Sequence, residues 1–437
     1  MKVIPRDQHC ISRKNISDGA LKVMSRLRQA DHEAYLVGGA VRDLLLGGHP
    51  KDFDIATDAT PEEVHALFRG SRIIGRRFRI VHVRMGREII EVTTFRGHHD
   101  GEPSTRASKV KGPSHRSEQG LLLRDNVFGT LEEDAVRRDL TVNALYYDAA
   151  NFAVYDHVHG MQDMERRSVC IIGDPDERFR EDPVRMLRVA RFAAKLEFDI
   201  DEDTAAAIPR CAHLLREIPS ARLFDEFLKL FMSGYAERTF DELLEHNLLA
   251  YLFPDSDYEL RRNSVAMALV RAAMRSTDIR IQAGKTVTPA FLLAALLWPV
   301  TERLAEQLRE RGDAPVAAMH SAGQQIVAGA VTTIAIPRRF SLPMREIWEF
   351  QLRLQRGDSR KARELLQNRR FRAAYDFLLL REEAGEETGD VGGFWTEFQE
   401  RPENQNLPMI DSPSDSAEDG GGRGRRRRPR KRRPTSP

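Results

Sequence analysis

The stretch "HPKDFDIAT", residues 49–57, decides how the chain is read. Phe53, Ile55 and Thr57 are strand formers, and side chains alternate between the two faces of a strand. Asp52 and Asp54 therefore share a face, about 6–7 Å apart. Two carboxylates so placed repel each other unless a cation sits between them. A bare D-x-D is most often a solvated surface strand, so its neighbours must settle what this one does.

Three further stretches supply that company. "VGGAVRD", residues 37–43, sets Gly38 and Gly39 between a strand pattern and a helix pattern. Glycines in such a turn let backbone N–H groups approach an anion, and Arg42 is within reach of a phosphate. Carboxylates beside a phosphate-cradling turn suit Mg²⁺, which takes oxygen ligands and bridges them to substrate phosphates. Two such ions would carry a nucleoside triphosphate, activate an attacking hydroxyl and stabilise a leaving pyrophosphate. "RRDLTVNAL", residues 137–145, adds Asp139 to complete the carboxylate cluster and Arg138 to face phosphate or ribose. Asn143, four residues on, would share a helical face with Asp139. In "REDPVRMLRVARF", residues 180–192, Asp182 reads as a helix cap with Pro183 at the first helical position. Asp182 and Arg185 then lie on one face, an acceptor beside a donor, suited to the edge of a base. Arg188 and Phe192 continue that face.

The rest of the chain is consistent with a large, charge-rich globular protein. It has 437 residues, 41% of them hydrophobic and 31% charged, enough for more than one core. No apolar run approaches the roughly 18 residues that a membrane span needs, and the N-terminus lacks the apolar segment of a secretion signal. Cys10, Cys170 and Cys211 are scattered, as expected for reduced thiols in a cytoplasmic protein. The last fifteen residues, "RGRRRRPRKRRPTSP", hold nine of the 68 Lys and Arg and no acid, so the remaining 59 face 66 acidic residues. The body is mildly acidic and the tail is a polycation. Such a tail is expected to be disordered and to bind nucleic acid through counterion release.

The periodicity predicts a loose arm over residues 1–16 and a mixed α/β region over 17–148. Within that region lie a helix from Ser17 or Asp18, a Thr60-capped helix starting at Pro61, and a hairpin through "FRIVHVRMG" and "REIIEVTTF". Residues 97–120 read as a mobile loop. Helical patterns follow at 149–225 and 226–395, and no core-forming pattern survives in 396–437. "HHD", residues 98–100, superficially resembles a phosphohydrolase metal motif, but it lacks the further ligands such a site needs.

Four stretches in order, "LVGGAVRDLLLG", "KDFDIAT", "RRDLTVNAL" and "EDPVRMLRVARFAAKL", resemble the motif set of the class II nucleotidyltransferases. This superfamily joins bacterial poly(A) polymerases and tRNA CCA-adding enzymes. The resemblance covers residues 17–250 firmly and extends more loosely to 385. "IIGRRFRIVHV", "HCISRKNIS", "KTVTPAFLLAALLWP", "RFRAAYDFLLL" and the Arg-rich tail resemble the poly(A) polymerase branch. It implies an α/β nucleotidyltransferase head with a mixed sheet, helical neck and body domains, and a disordered basic tail. It also implies template-independent addition of AMP from ATP to RNA 3′ ends, in support of RNA processing and decay. By the same resemblance Asp52 and Asp54 hold metal and catalyse, and Asp139 is a further catalytic acid. Gly38, Gly39, Arg42 and Arg138 meet the triphosphate, and Asp182 and Arg185 select the nucleotide. RNA-decay proteins are expected partners of the tail. The alternatives are CCA addition to tRNA, which shares every motif, and a non-catalytic RNA-binding protein, against which the intact D-x-D argues.

Overall fold

The computed structural model describes residues 1–75, 79–97, 115–116, 122–124, 128–355 and 361–405. The His98–Asp100 motif, most of the loop expected over 97–120 and most of the basic tail lie outside the described residues. The described chain divides into two compact units. The first holds Met1–Tyr258 with Thr277–Thr286 and Ala330–Ala335; the second holds Glu259–Ser276, Val287–Gly329 and the chain from Ile336.

The first unit is built on a mixed sheet of strands β1 (Lys2–Ile4), β2 (Ala34–Val37), β3 (Asp54–Thr57), β4 (Ser71–Ile74), β5 (Ile80–Met85), β6 (Glu88–Thr94), β9 (Leu145–Tyr147) and β10 (Val154–Asp156). A separate ribbon pairs β7 (His115–Arg116) with β8 (Leu122–Arg124). The sheet order is β1-β10-β9-β2-β3-β6-β5-β4, antiparallel except where β3 pairs β6. The hairpin expected from the alternating pattern is β5–β6, and it runs directly into the central pairing.

Local sequence explains the helices that flank this sheet. Helix α1 (Asp18–Gln29) is capped by Ser17, whose hydroxyl accepts from the Ala20 amide, and it buries Ala20, Val23, Met24 and Leu27. Helix α3 (Pro61–Leu67) carries a full capping box between Thr60 and Glu63. Helix α2 (Gly39–Leu45) follows β2 directly. The first sixteen residues depart from the expected loose arm: β1 adds an edge strand beside β10, and Ile4, Ile11 and Ile16 are buried. Three isoleucines in an otherwise polar segment were the apolar anchors that a polar average concealed.

After β10 the first unit turns helical, with α4 (Leu131–Arg137) already placed before β9. Helices α5 (Gly160–Arg166), α6 (Pro175–Glu181), α7 (Val184–Leu196), α8 (Glu202–Cys211), α9 (Ser220–Phe231) and α10 (Ala236–Glu245) follow. Asp182 does not cap α7; it ends α6 in extended conformation, and Pro183 stands at the N-cap of α7 without a side-chain bond.

The second unit is helical and packs around Phe350, Leu354, Phe371, Tyr375, Leu378, Trp395 and Phe398. A buried polar cluster adjoins it. Arg381 donates to Gln351, Glu302 and both oxygens of Glu386, and its guanidinium lies over the Trp298 ring at 4.5 Å. Burial and the Glu386 carboxylate push Glu302 up to about 8. A carboxyl that binds its proton more tightly when folded adds stability below its ordinary pKa, and loses it as pH rises through the folded value. The thermal midpoint is therefore expected to fall between pH 6 and pH 9, and Glu302→Gln to lose about 2–4 °C less over that range. Calorimetric scans of the two proteins at both pH values check this.

Candidate active site

Register places the site. Antiparallel pairing of β2 and β3 sets Val37 opposite Asp54, so the glycine turn after β2 stands beside the D-x-D. Phe53 and Ile55 are buried on one side of the strand, while Asp52 and Asp54 face the other, in a cleft of about 920 Å³. The regular strand begins at Asp54, with Asp52 two residues ahead of the ladder. Gly38 has φ +73°, ψ −136°, a conformation that side-chain-bearing residues rarely adopt. This makes glycine a backbone requirement there.

The cleft is lined by six Lys or Arg (Arg42, Lys51, Arg138, Arg188, Arg191, Lys195) against four Asp (Asp43, Asp52, Asp54, Asp139). Their pairing is uneven. Among the described residues, no protein group hydrogen-bonds or ion-pairs with the Asp52 or Asp54 side chain. Burial, then Glu91 across the parallel ladder, and Asp52 push the Asp54 carboxyl up to about 6, against the pull of Arg138. An under-compensated carboxylate pair of this kind fits a hard dication. No third Asp, Glu, His or Cys joins the pair as a metal-holding cluster among the described residues. Substrate phosphates and water would complete the coordination, as is usual for Mg²⁺.

In the same cleft, α7 presents Arg188, Arg191, Phe192 and Lys195, spaced as one helical face, with Lys195 bound to Asp43 at 3.3 Å. The Phe192 ring has three guanidiniums around it: Arg191 at 4.6 Å, Arg42 at 5.0 Å and Arg188 at 5.6 Å. The Arg191 Nε is buried without a hydrogen-bond partner, and burial together with Arg188 pulls its pKa down to about 10. An anion would relieve that cost. Sequence reading named Arg188 and Phe192 but missed Arg191 and Lys195, although their i+3 and i+7 spacing from Arg188 was visible.

The remaining expected residues divide. Arg42 lines the cleft but is buried and held, donating to Asn143 Oδ1 at 2.5 Å and to Asp43 at 2.6 and 2.8 Å. Asn143 belongs to a 3-10 turn (Thr141–Asn143), so its partner is Arg42 and the helical face expected with Asp139 is not formed. Asp139 reaches the cleft with its carboxylate bound by Arg188, whose Nε lies 2.5 Å away. Burial alone would raise the Asp139 carboxyl, but Arg188 holds it down at about 2. Arg138 lines the cleft beside Gly38. Asp182 and Arg185 are not among the residues lining it. Asp182 accepts from Arg222 at 2.7 Å, and Arg185 donates to Glu181 and to the Arg178 carbonyl at 2.8 Å.

Comparison with known proteins gives this geometry its family. The chain matches the "Poly A polymerase head domain" over residues 34–170, which contains the turn, the D-x-D and Asp139. It also matches the "Probable RNA and SrmB- binding site of polymerase A" over 197–260 and the "Polymerase A arginine-rich C-terminus" over 311–433. The poly(A) polymerase I of Salmonella typhimurium is 47% identical over 99% of this chain and 93% of its own. The chain belongs to the poly(A) polymerase family. It is a nucleotidyltransferase with an RNA-binding region. A CCA-adding enzyme of Bacillus pumilus is 38% identical, but over only 52% of this chain and 53% of its own. A solved CCA-adding enzyme of Bacillus stearothermophilus, in complex with CTP, superposes with a TM-score of 0.61 at 26% identity, covering 87% of this chain and 81% of that one. Within the poly(A) polymerase family, then, the cleft belongs to a head domain shared with the CCA-adding enzymes.

The Asp139–Arg188 pair gives a stability prediction. Asp139→Ala leaves a mostly buried guanidinium without its partner and is expected to cost about 2–3 kcal/mol in denaturant unfolding. Adding Arg188→Ala should recover part of that loss, because the unpaired charge is then gone.

Proposed function

We propose that this poly(A) polymerase family member adds AMP from ATP to RNA 3′ ends without a template, releasing pyrophosphate. One observation carries the reading. A carboxylate pair without a protein cation shares one cleft with a row of Arg and Lys in which Lys195 and Arg188 are met by Asp43 and Asp139 but the buried Arg191 Nε has no partner. That is the complement of a metal-bound triphosphate, negative where the metal sits and positive where the phosphates lie.

In the mechanism we propose, Asp52 and Asp54 hold Mg²⁺. When bound there, the metal would lower the pKa of the attacking hydroxyl and offset charge on the departing pyrophosphate. The RNA 3′-oxygen attacks the α-phosphorus in line; the new P–O bond forms as the bond to the β-phosphate bridging oxygen breaks. The Gly38–Gly39 turn admits the triphosphate close to the backbone, with Arg42 buttressing the turn through Asn143 and Asp43. Arg138, Arg191 and Lys195 supply fixed positive charge, so catalysis is largely positioning and neutralisation. Asp139 serves by aiming Arg188 into the cleft. Base selection is assigned to Asp182 and Arg185 although neither lines this cleft; support for Asp182 comes from its second carboxylate oxygen, which is buried and unpartnered. The enzyme would work in the cytoplasm; no helix among the described residues is long and apolar enough to cross a membrane. The Arg-rich tail would add RNA affinity and contacts to RNA-decay proteins.

CCA addition remains the competing reading because it uses the same head. Full-length similarity to a poly(A) polymerase, against half-length similarity to a CCA-adding enzyme, favours AMP addition. Primer extension with Mg²⁺ separates the two. The expected product is a long tail from ATP alone on an A-ended oligonucleotide, lost in Asp54→Asn while RNA binding persists. A three-nucleotide product on tRNA lacking its CCA end, dependent on CTP, would reverse the assignment.

A further inference from the structure

We propose that Asp134 and Tyr146 form a clamp that aims Arg138 into the cleft, a positioning role that rests on the nucleotidyl-transfer reading above. The clamp follows from how α4 ends. The helix starts at a Thr130–Glu133 capping box and stops at Arg137, and Arg138 leaves it in extended conformation at ψ 170°. Asp134, one turn back, receives Arg138 Nη2 at 3.0 Å and Nε at 3.3 Å. Tyr146, fully buried on β9, accepts from Arg138 Nε at 2.8 Å and donates its hydroxyl to the same Asp134 oxygen at 2.7 Å. The other Asp134 oxygen accepts from the Arg96 amide at 3.1 Å, which ties the hub to the end of β6.

This leaves Nη1 outside the clamp. Nε and one hydrogen of Nη2 are taken by it. Nη1 stands at the Gly38 turn, 3.7 Å from where a side chain on that glycine would begin, and has no hydrogen-bond partner among the described residues. The backbone is fixed as well. Arg178 from α6 donates to the carbonyls of Arg137 and Arg138 at 2.7 and 2.6 Å, satisfying acceptors that the end of α4 leaves open. The three consecutive residues thus diverge: Arg137 donates to the Gly97 carbonyl, Arg138 to the clamp, and Asp139 accepts from Arg188.

Tyr146 is suited to the task because it is both donor and acceptor. Burial raises its phenol well above the ordinary value, so it stays neutral and keeps the proton it donates to Asp134 while its oxygen accepts from Arg138 Nε. A donor held this way meets a triphosphate oxygen without first being reoriented, the preorganisation that makes fixed dipoles effective in a site. A purely structural network would hold α4 against the sheet and nothing more, and the two roles differ in how they depend on Arg138.

A double-mutant cycle on the full chain tests this, with Tyr146→Phe and Arg138→Ala, singly and together. Two readouts are taken: ATP affinity with Mg²⁺ and no RNA, and kcat/KM for AMP addition. Tyr146→Phe is expected to lower both by about tenfold, the loss of one hydrogen bond to a charged group. In the Arg138→Ala background it is expected to change neither. An equal loss in both backgrounds, or no loss in the wild-type background, would overturn the clamp. Should Tyr146→Phe fail to fold, Asp134→Asn takes its place in the cycle with the same two outcomes. If the wild-type protein bound ATP but added no AMP, the functional reading would fail, while the binding cycle would still decide the clamp.

Discussion

The active site depends on a register. Val37 pairs with Asp54, and this one antiparallel alignment places the end of β2 beside the start of β3. A slip by one residue would turn Asp54 inward and Ile55 outward, since side chains alternate with period two. The register is held by burial: Leu36, Val37, Ile55 and Ala56 are all inaccessible to solvent or nearly so. The hydrophobic core of the head therefore fixes, within one strand pair, where the turn meets the carboxylates. Its neighbour β6 lies parallel to β3 and brings Glu91 next to Asp54, which adds to the local excess of negative charge.

Charge is then divided by function. Residues that must stay still are paired with protein groups: Arg42 with Asn143 and Asp43, Asp139 with Arg188, Arg138 with Asp134 and Tyr146. Cleft groups left without a full complement are the carboxylates of Asp52 and Asp54 and, among the cations, the Arg191 Nε and the Arg138 Nη1. Unmet charge in a folded protein costs stability, and a ligand that supplies the missing charge recovers that cost on binding. The cleft thus spends stability at the positions a metal-bound triphosphate would occupy.

Much of this was legible in the residues. The helix starts at Ser17 and Thr60, the β5–β6 hairpin and the shared face of Asp52 and Asp54 follow from short-range rules of capping and alternation. The errors arose where tertiary pairing overrode local pattern. The N-terminal arm looked loose because its three isoleucines are spread among polar residues, yet they anchor an edge strand. Asp182 before Pro183 reads as a cap, but α6 runs up to it and Arg222, forty residues on, takes its carboxylate. Asn143 was placed on a helix because it lies four residues from Asp139; the apolar stretch between them forms only a 3-10 turn before β9. The Asp134–Tyr146–Arg138 network carried no local signal beyond the i, i+4 spacing of Asp134 and Arg138. Its third member comes from a strand whose register no short motif encodes.

The central claim is that Asp52 and Asp54 together hold the metal that carries the nucleotide. The most direct test is a crystal structure with Mn²⁺ and a non-hydrolysable ATP analogue, with anomalous scattering used to locate the ion. The account predicts an anomalous peak coordinated by both carboxylates and by phosphate oxygens of the analogue, with the triphosphate lying between them and the α7 face. A nucleotide bound in the cleft with its metal away from Asp52 and Asp54, or a metal there without the nucleotide's phosphates, would contradict it.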